Sequence, residues 1–170
     1  MKWEPPMATV RHPDAVWGDR ANAAMISAIY VEGTVDWEEL PVRRLEVRSE
    51  GSDLFEVCCI PFYAQPENLG AILEVDPDNP RIVMNVRELG AEYDQPVRAV
   101  CAGDTRRGFE AELARRGWPH ERSGDLLAFA VPFARPGPAS GEDRTRTTAI
   151  EELERTFAVP FDAGAIRWTT

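Results

Sequence analysis

The side chains of this chain with chemistry to offer are three cysteines, two histidines and a surplus of carboxylates. Cys58 and Cys59 are neighbours in the apolar stretch Val57-Cys58-Cys59-Ile60. Adjacent strand residues point to opposite faces, so this pair does not converge on one metal ion. No CxxC motif or histidine cluster accompanies it, and structural zinc takes four Cys or His ligands. The pair reads as two small apolar residues of a core strand. Cys101 and His120 have the residue types of a nucleophile and its base. A nucleophile needs that base within hydrogen-bond reach and an acid to orient it, and sequence separation supplies neither. His120, followed by Glu121 and Arg122, reads as solvated; His12, beside Pro13, carries less signal still. Glu56 and Tyr63 join Cys101 and His120 as weak catalytic candidates. No residue is assigned a catalytic role, and no metal or cofactor is expected.

The carboxylates divide similarly. Asp76, Asp78 and Asn79 begin as a cation-binding loop would, but an EF-hand needs Gly at its sixth position and Glu at its twelfth. Those positions hold Arg81 and Arg87, so a hairpin turn explains the segment better. Glu38-Glu39 is an adjacent pair on opposite strand faces, not an acid–base dyad. Glu151, Glu152 and Glu154 fall in the first turns of a helix, where negative charge suits the dipole. Neither GxxxxGK[ST] nor GxGxxG occurs, so a phosphate-cradling loop is unsupported. Phe129 and Phe133 lack the basic residue and glycine that precede the stacking aromatics of an RNA-recognition module, and read as core.

Charge is the least generic feature. The 170 residues carry a formal net charge of −10. Residues 1–96 hold 8 basic and 18 acidic side chains, while residues 97–170 hold 11 of each. This argues against nucleic acid and against an anionic membrane surface, both of which need clustered Lys or Arg. It favours encounter with a basic protein partner. Three cysteines are too few for a disulfide scaffold, which points to a reducing, cytoplasmic setting. The start lacks a signal-peptide core, and the most apolar stretch, Ala23 to Val31, is about half of the roughly 20 residues a membrane helix needs.

The elements that must position these residues fall into two groups after a Pro-rich polar lead-in, residues 1–22. Over 23–96 about five strands are expected, near 25–31, 37–48, 54–62, 69–75 and 81–86. A bulge is expected near Pro41, where the apolar phase slips between Val42 and Leu45. A small curled sheet or barrel is the natural way to bury such strands. Over 97–170 the expected order is strand, helix, strand, strand, helix, strand. Asp104 or Thr105 caps the first helix, Gly117 ends it and Glu112 pairs with Arg116 along it. Thr148 opens the second helix as a capping box with Glu151, and Pro160 closes it. This is the split βαβ, or ferredoxin-like, order. The expected fold is therefore α+β: a small curled β-sheet or barrel lobe packed on a ferredoxin-like βαββαβ lobe.

The landmarks Trp37-Glu38-Glu39-Leu40-Pro41-Val42, Leu54 through Ile60-Pro61-Phe62-Tyr63-Ala64, and Leu69-Gly70 ahead of Ile72-Leu73-Glu74-Val75 resemble the bacterial "domain of unknown function" family numbered 4265. The resemblance covers roughly residues 35–168. The family's pattern has Gly-Asp at the turn where this chain has Gly70-Ala71, so no role of that acid is carried over. The resemblance implies a fold and no activity.

Two functional expectations follow. The first is a non-catalytic protein-binding or inhibitor/immunity-type module whose acidic lobe meets a basic protein through Glu38, Glu39, Glu67, Asp76 and Asp78. The alternative is an enzyme or a small-ligand sensor using the groove between the two lobes.

Overall fold

The computed structural model describes residues 9–12, 24–30, 37–46, 53–64, 67–79, 83–133 and 146–169. The fold is α+β, with two sheets and three helices among the described residues. The first sheet holds β1 (Thr9–Val10), β2 (Ala24–Tyr30), β3 (Trp37–Glu46), β4 (Leu54–Val57), β5 (Ile72–Val75) and β6 (Val83–Glu88). Its order is β1-β3-β4-β5-β6, with β2 also paired to β3. The pairings are antiparallel except β1, which runs parallel to β3 with Thr9 opposite Trp37 and Val10 opposite Glu38. Strand β2 approaches β6, so the sheet curls on itself. The slip expected between Val42 and Leu45 is a register shift between Arg44 and Glu46 against β4.

Alternation along β3 and β4 sends Leu40, Val42, Phe55 and Val57 into a buried cluster with Leu73 and Val75. Strand β4 stops at Val57, where the sequence suggests a strand running on to Phe62. From Cys58 the chain leaves the sheet as a buried loop, 58–64. The N–H groups of Ile60, Phe62, Tyr63 and Ala64 bond to carboxylates of distant glutamates, not to a neighbouring strand. Apolar composition alone cannot distinguish a two-sided buried strand from a buried loop capped by side chains.

The second sheet holds β7 (Val97–Cys101), β8 (His120–Ser123), β9 (Leu126–Phe129) and β10 (Ile166–Thr169), all antiparallel in the order β10-β7-β9-β8. Helix α1 (Gly103–Arg115) joins β7 to β8. Helices α2 (Arg146–Thr156) and α3 (Ala158–Asp162) lie between β9 and β10. The face bearing Val97, Ala99, Cys101, Leu127 and Phe129 packs with Phe109, Leu113 and Leu153. The opposite face presents Ala128 and Ala130 to Ile60, Phe62 and Leu69. Small residues there let the loop 58–64 approach the sheet closely.

Several helix details differ from the sequence reading. Helix α1 starts at Gly103 after Ala102, with no side-chain cap from Asp104 or Thr105. Gly117 does end it with φ +69, closed by Trp118 N–H to Leu113 O at 2.9 Å, and Arg116 bonds Glu112 at 2.7 Å. Helix α2 begins two residues before Thr148. Pro160 does not stop the helical path. It is the third residue of α3, where a missing N–H costs nothing because first-turn N–H groups have no intrahelical partner. Phe133 is half-exposed rather than core.

Candidate functional site

The most concentrated polar chemistry lies where loop 58–64 meets the second sheet. Leu40 and Val42 point inward from β3, and Glu38, on the same alternation, points inward too. It is fully buried. Its Oε1 accepts from Phe62 N–H at 2.6 Å, and its Oε2 accepts from Tyr63 and Ala64 N–H at 2.9 and 2.7 Å. Glu121, on β8, sits opposite Ala128 and so faces the loop. Its Oε1 accepts from Ile60 N–H at 3.0 Å.

Between these carboxylates lies His12, two residues past β1. Its Nε2 is 2.8 Å from Glu38 Oε1 and its Nδ1 is 2.5 Å from Glu121 Oε2. The ring stacks on Phe62, with centroids 4.6 Å apart. Burial works against the charged imidazolium, but the bonds to Glu121 and Glu38 outweigh it and raise the His12 pKa to about 9. Burial likewise opposes the charged Glu38, yet the His12 bonds and the backbone donors hold its pKa below the usual carboxylate value. His12 is therefore a cation at neutral pH, donating from both nitrogens. On the other side of the loop, Arg98 of β7 donates to the carbonyls of Pro61 and Ala64, each at 3.2 Å. Asn68 extends the arrangement: its side chain bonds both the N–H and the C=O of Gly90.

This constellation has the residue types of an acid–base triad without the access. The His12 side chain is fully buried, and every carboxylate oxygen of Glu38 and Glu121 already accepts a described bond. Its evident work is to fasten Thr9–His12, β3, loop 58–64 and β8 together. Part of the expected polar lead-in is thus built into the body.

The weak catalytic set is not assembled. Cys101 and His120 lie on strands separated by β9, at opposite ends of the ladder. Two strand spacings and four residues of rise place their backbones about 16 Å apart. His120 Nδ1–H donates to Trp118 O at 3.0 Å. Glu56 lies in the other sheet, paired with Arg43. Tyr63 is half-buried, its N–H held by Glu38. Burial pushes the Cys101 thiol up to about 11 and raises the Cys59 thiol as well. All three cysteines are free and buried. With thiolate both inaccessible and disfavoured, a thiol reagent such as DTNB should label none of them in the native protein at pH 8 and all three in guanidinium. Rapid native labelling of Cys58 or Cys59 would show that the loop 58–64 region opens, and of Cys101 that the helix-covered face of the second sheet does.

The expected partner-binding carboxylates are also redistributed. Glu38 and Glu67 are buried and unavailable to a macromolecular partner. Burial raises the Glu67 pKa, and its Oε2 has no hydrogen-bond partner among the described residues. Glu39 and Asp76 are half-exposed and Asp78 is exposed. Asp76 Oδ1 accepts from Asp78 N–H at 2.8 Å, an Asx turn that shapes the β5–β6 hairpin.

No protein-family model matches the chain, and no curated protein matches it. Among solved structures it is similar to a hypothetical protein from Neisseria gonorrhoeae, with a TM-score of 0.57 at 13% identity, covering 86% of this chain and 94% of that one. At that identity the likeness extends to the fold. Among the described residues, no helix is long and apolar enough to cross a membrane.

Proposed function

We propose that this protein is a non-catalytic binding module, with a basic protein as its partner and the curled first sheet as its docking side. The observation that carries this reading is the closure of the His12–Glu38–Glu121 cluster. Among the described residues, this grouping of acids and base is committed to holding the fold. A general base must reach a substrate proton within about 2.6–3.2 Å, and a fully buried ring cannot.

The acidic surplus of residues 1–96 supports the choice of partner. Arginines neutralise part of it: Arg43 pairs with Glu56, Arg44 with Asp53 and Arg87 with Glu74. Glu39, Asp76 and Asp78 form no such pair among the described residues. The strand order β10-β7-β9-β8, with helices on one face, supports a ferredoxin-like unit whose second face the first lobe covers. The resemblance to the family numbered 4265 and a cytoplasmic setting are part of the same proposal.

The test is affinity capture with the wild-type chain and with a Glu39→Gln/Asp76→Asn/Asp78→Asn variant. A partner retained by the wild type at low salt, released at high salt and lost by the variant supports the reading. Capture that is indifferent to both salt and the three substitutions sinks it.

A further inference from the structure

We propose that the edge of β3 at Trp37–Glu38 is a slot for an extended basic segment of the partner protein, and that the chain's own Thr9–His12 fills it as a built-in competitor. The inference rests on the protein-binding reading and deepens it, naming which part of the partner is held and where.

The slot exists because β4 ends early. Strand β2 pairs with β3 from Val42 back to Trp37 and so takes one edge of it. Strand β4 takes the other edge, from Val42 to Glu46. At Cys58 the chain turns away, its N–H bonded to Pro41 O at 2.9 Å. Beyond that point β4 no longer covers the edge. Strand β1 supplies two residues there, parallel to β3, with Thr9 opposite Trp37 and Val10 opposite Glu38. A sheet edge left open in this way is a template for a strand from another chain.

Side chains give the slot its chemistry. Alternation continues past β1: Val10 packs half-buried on the cluster of Ile60, Phe62 and Leu69, Arg11 is exposed, and His12 is buried. The His12 ring lies nearly parallel to Phe62 and meets a carboxylate at each nitrogen. The slot therefore selects an apolar side chain followed, two residues on, by a flat cation. Glu38 and Glu121 are both buried, and buried charges need a partner of opposite sign. An acidic or purely apolar segment is refused at this point, and a basic one is accepted.

Thr9–His12 is held by little: two paired residues, one half-buried apolar side chain and one ring. Its simple departure would leave two interior carboxylates without a cation. Replacement by a segment of the same pattern leaves none, because each contact broken is made again. Exchange is thus favoured over opening. Glu38 stays out of a partner's reach while His12 is seated, and the resident segment lowers the partner's apparent affinity in proportion to the time it keeps the slot filled.

The test uses the full chain and a fluorescein-labelled synthetic peptide of residues 7–14, Met7 to Asp14, followed by fluorescence anisotropy at neutral pH. The His12→Ala chain, whose resident segment has lost its cation, should bind the peptide about tenfold or more tightly than the wild type does. A peptide with alanine in place of the histidine should bind that variant about tenfold or more weakly, since hydrogen bonds to charged groups are lost. A Val10→Gly chain loosens the resident strand and keeps His12 and both carboxylates, so it serves where His12→Ala does not fold; it too should bind more tightly than the wild type. No binding to either variant, or equal binding of the two peptides, overturns the proposal. Salt-sensitive capture of a partner with no peptide binding overturns the slot and leaves the protein-binding reading standing. Peptide binding alongside capture indifferent to salt and to the three outer acids supports the slot and sinks that reading.

Discussion

Replacing His12 with alanine should lower the stability of the fold by about 3–5 kcal/mol, the range measured when one member of a buried ion pair is removed. The cause is what remains. Glu38 and Glu121 would face one another across an emptied site, each still charged or forced to take a proton in the interior. The stacking contact with Phe62 would go as well. For a chain of this size the loss corresponds to a fall in Tm of roughly 6–20 °C. Urea unfolding followed by tryptophan fluorescence measures it. Neutralising the orphaned acids in a His12→Ala/Glu38→Gln/Glu121→Gln variant should recover part of the loss, because the uncompensated charge is gone while acceptors for the loop N–H groups remain. A His12→Ala loss below about 1 kcal/mol, the scale of an exposed pair, would mean that the buried ion pair contributes little.

The pH dependence of stability is the second large effect. His12 has a folded pKa of about 9 against an ordinary 6.5. Below 6.5 both folded and unfolded chains hold the proton, so the full stabilisation is present. Between 6.5 and 9 the unfolded chain releases it and the folded chain keeps it, so stability falls as pH rises. The loss approaches about 3 kcal/mol once pH passes 9, at roughly 1.4 kcal/mol per unit of pKa difference. Cys59 and Cys101, whose thiols are raised in the fold, add to the decline only near and above their ordinary value of 9.0. The slope between pH 6.5 and 8 therefore belongs chiefly to His12. On the acid side Glu38 has the opposite sign. Its folded pKa is lowered, so its contribution is present above the ordinary 4.5 and is lost as pH falls through the folded value. Glu67, whose pKa burial raises, adds a decline as pH climbs above the ordinary 4.5. Unfolding free energies at a series of pH values should therefore rise out of the acid flank, decline above 4.5 through Glu67 and decline further above 6.5 through His12. A His12→Gln variant should flatten the alkaline flank below pH 8. An alkaline flank unchanged in that variant would assign it to other groups.

The two predictions share a structural cause. Loop 58–64 carries peptide groups into the interior, and interior peptide groups need partners. Here the partners are charged side chains: Glu38 and Glu121 for the N–H groups, Arg98 for the carbonyls of Pro61 and Ala64. His12 then offsets the negative charge that this arrangement buries. Removing any one member leaves another charge or peptide group unsatisfied, so the effects of double substitutions should not add.

Local pattern determined much of this architecture by itself. Alternation marked the β5–β6 hairpin around Asp76–Asn79 and the inward face of β9, and the position of Gly117 marked the end of α1. The uneven charge was legible by counting. Glu38 also left a trace, since it shares the phase of Leu40 and Val42; a carboxylate on an inward face requires a partner. The partner could not be read. His12 and Glu121 are 109 positions apart, and neither neighbourhood marks the other. Likewise nothing around Arg98 in the sequence marks the carbonyls of Pro61 and Ala64 that it meets in the fold. Periodicity is a property of neighbouring residues, so sequence carries it directly. Charge pairing across a joint depends on which strands become neighbours, and only the packed chain decides that. In this protein that decision turns a histidine in a polar lead-in into a buried cation between two carboxylates.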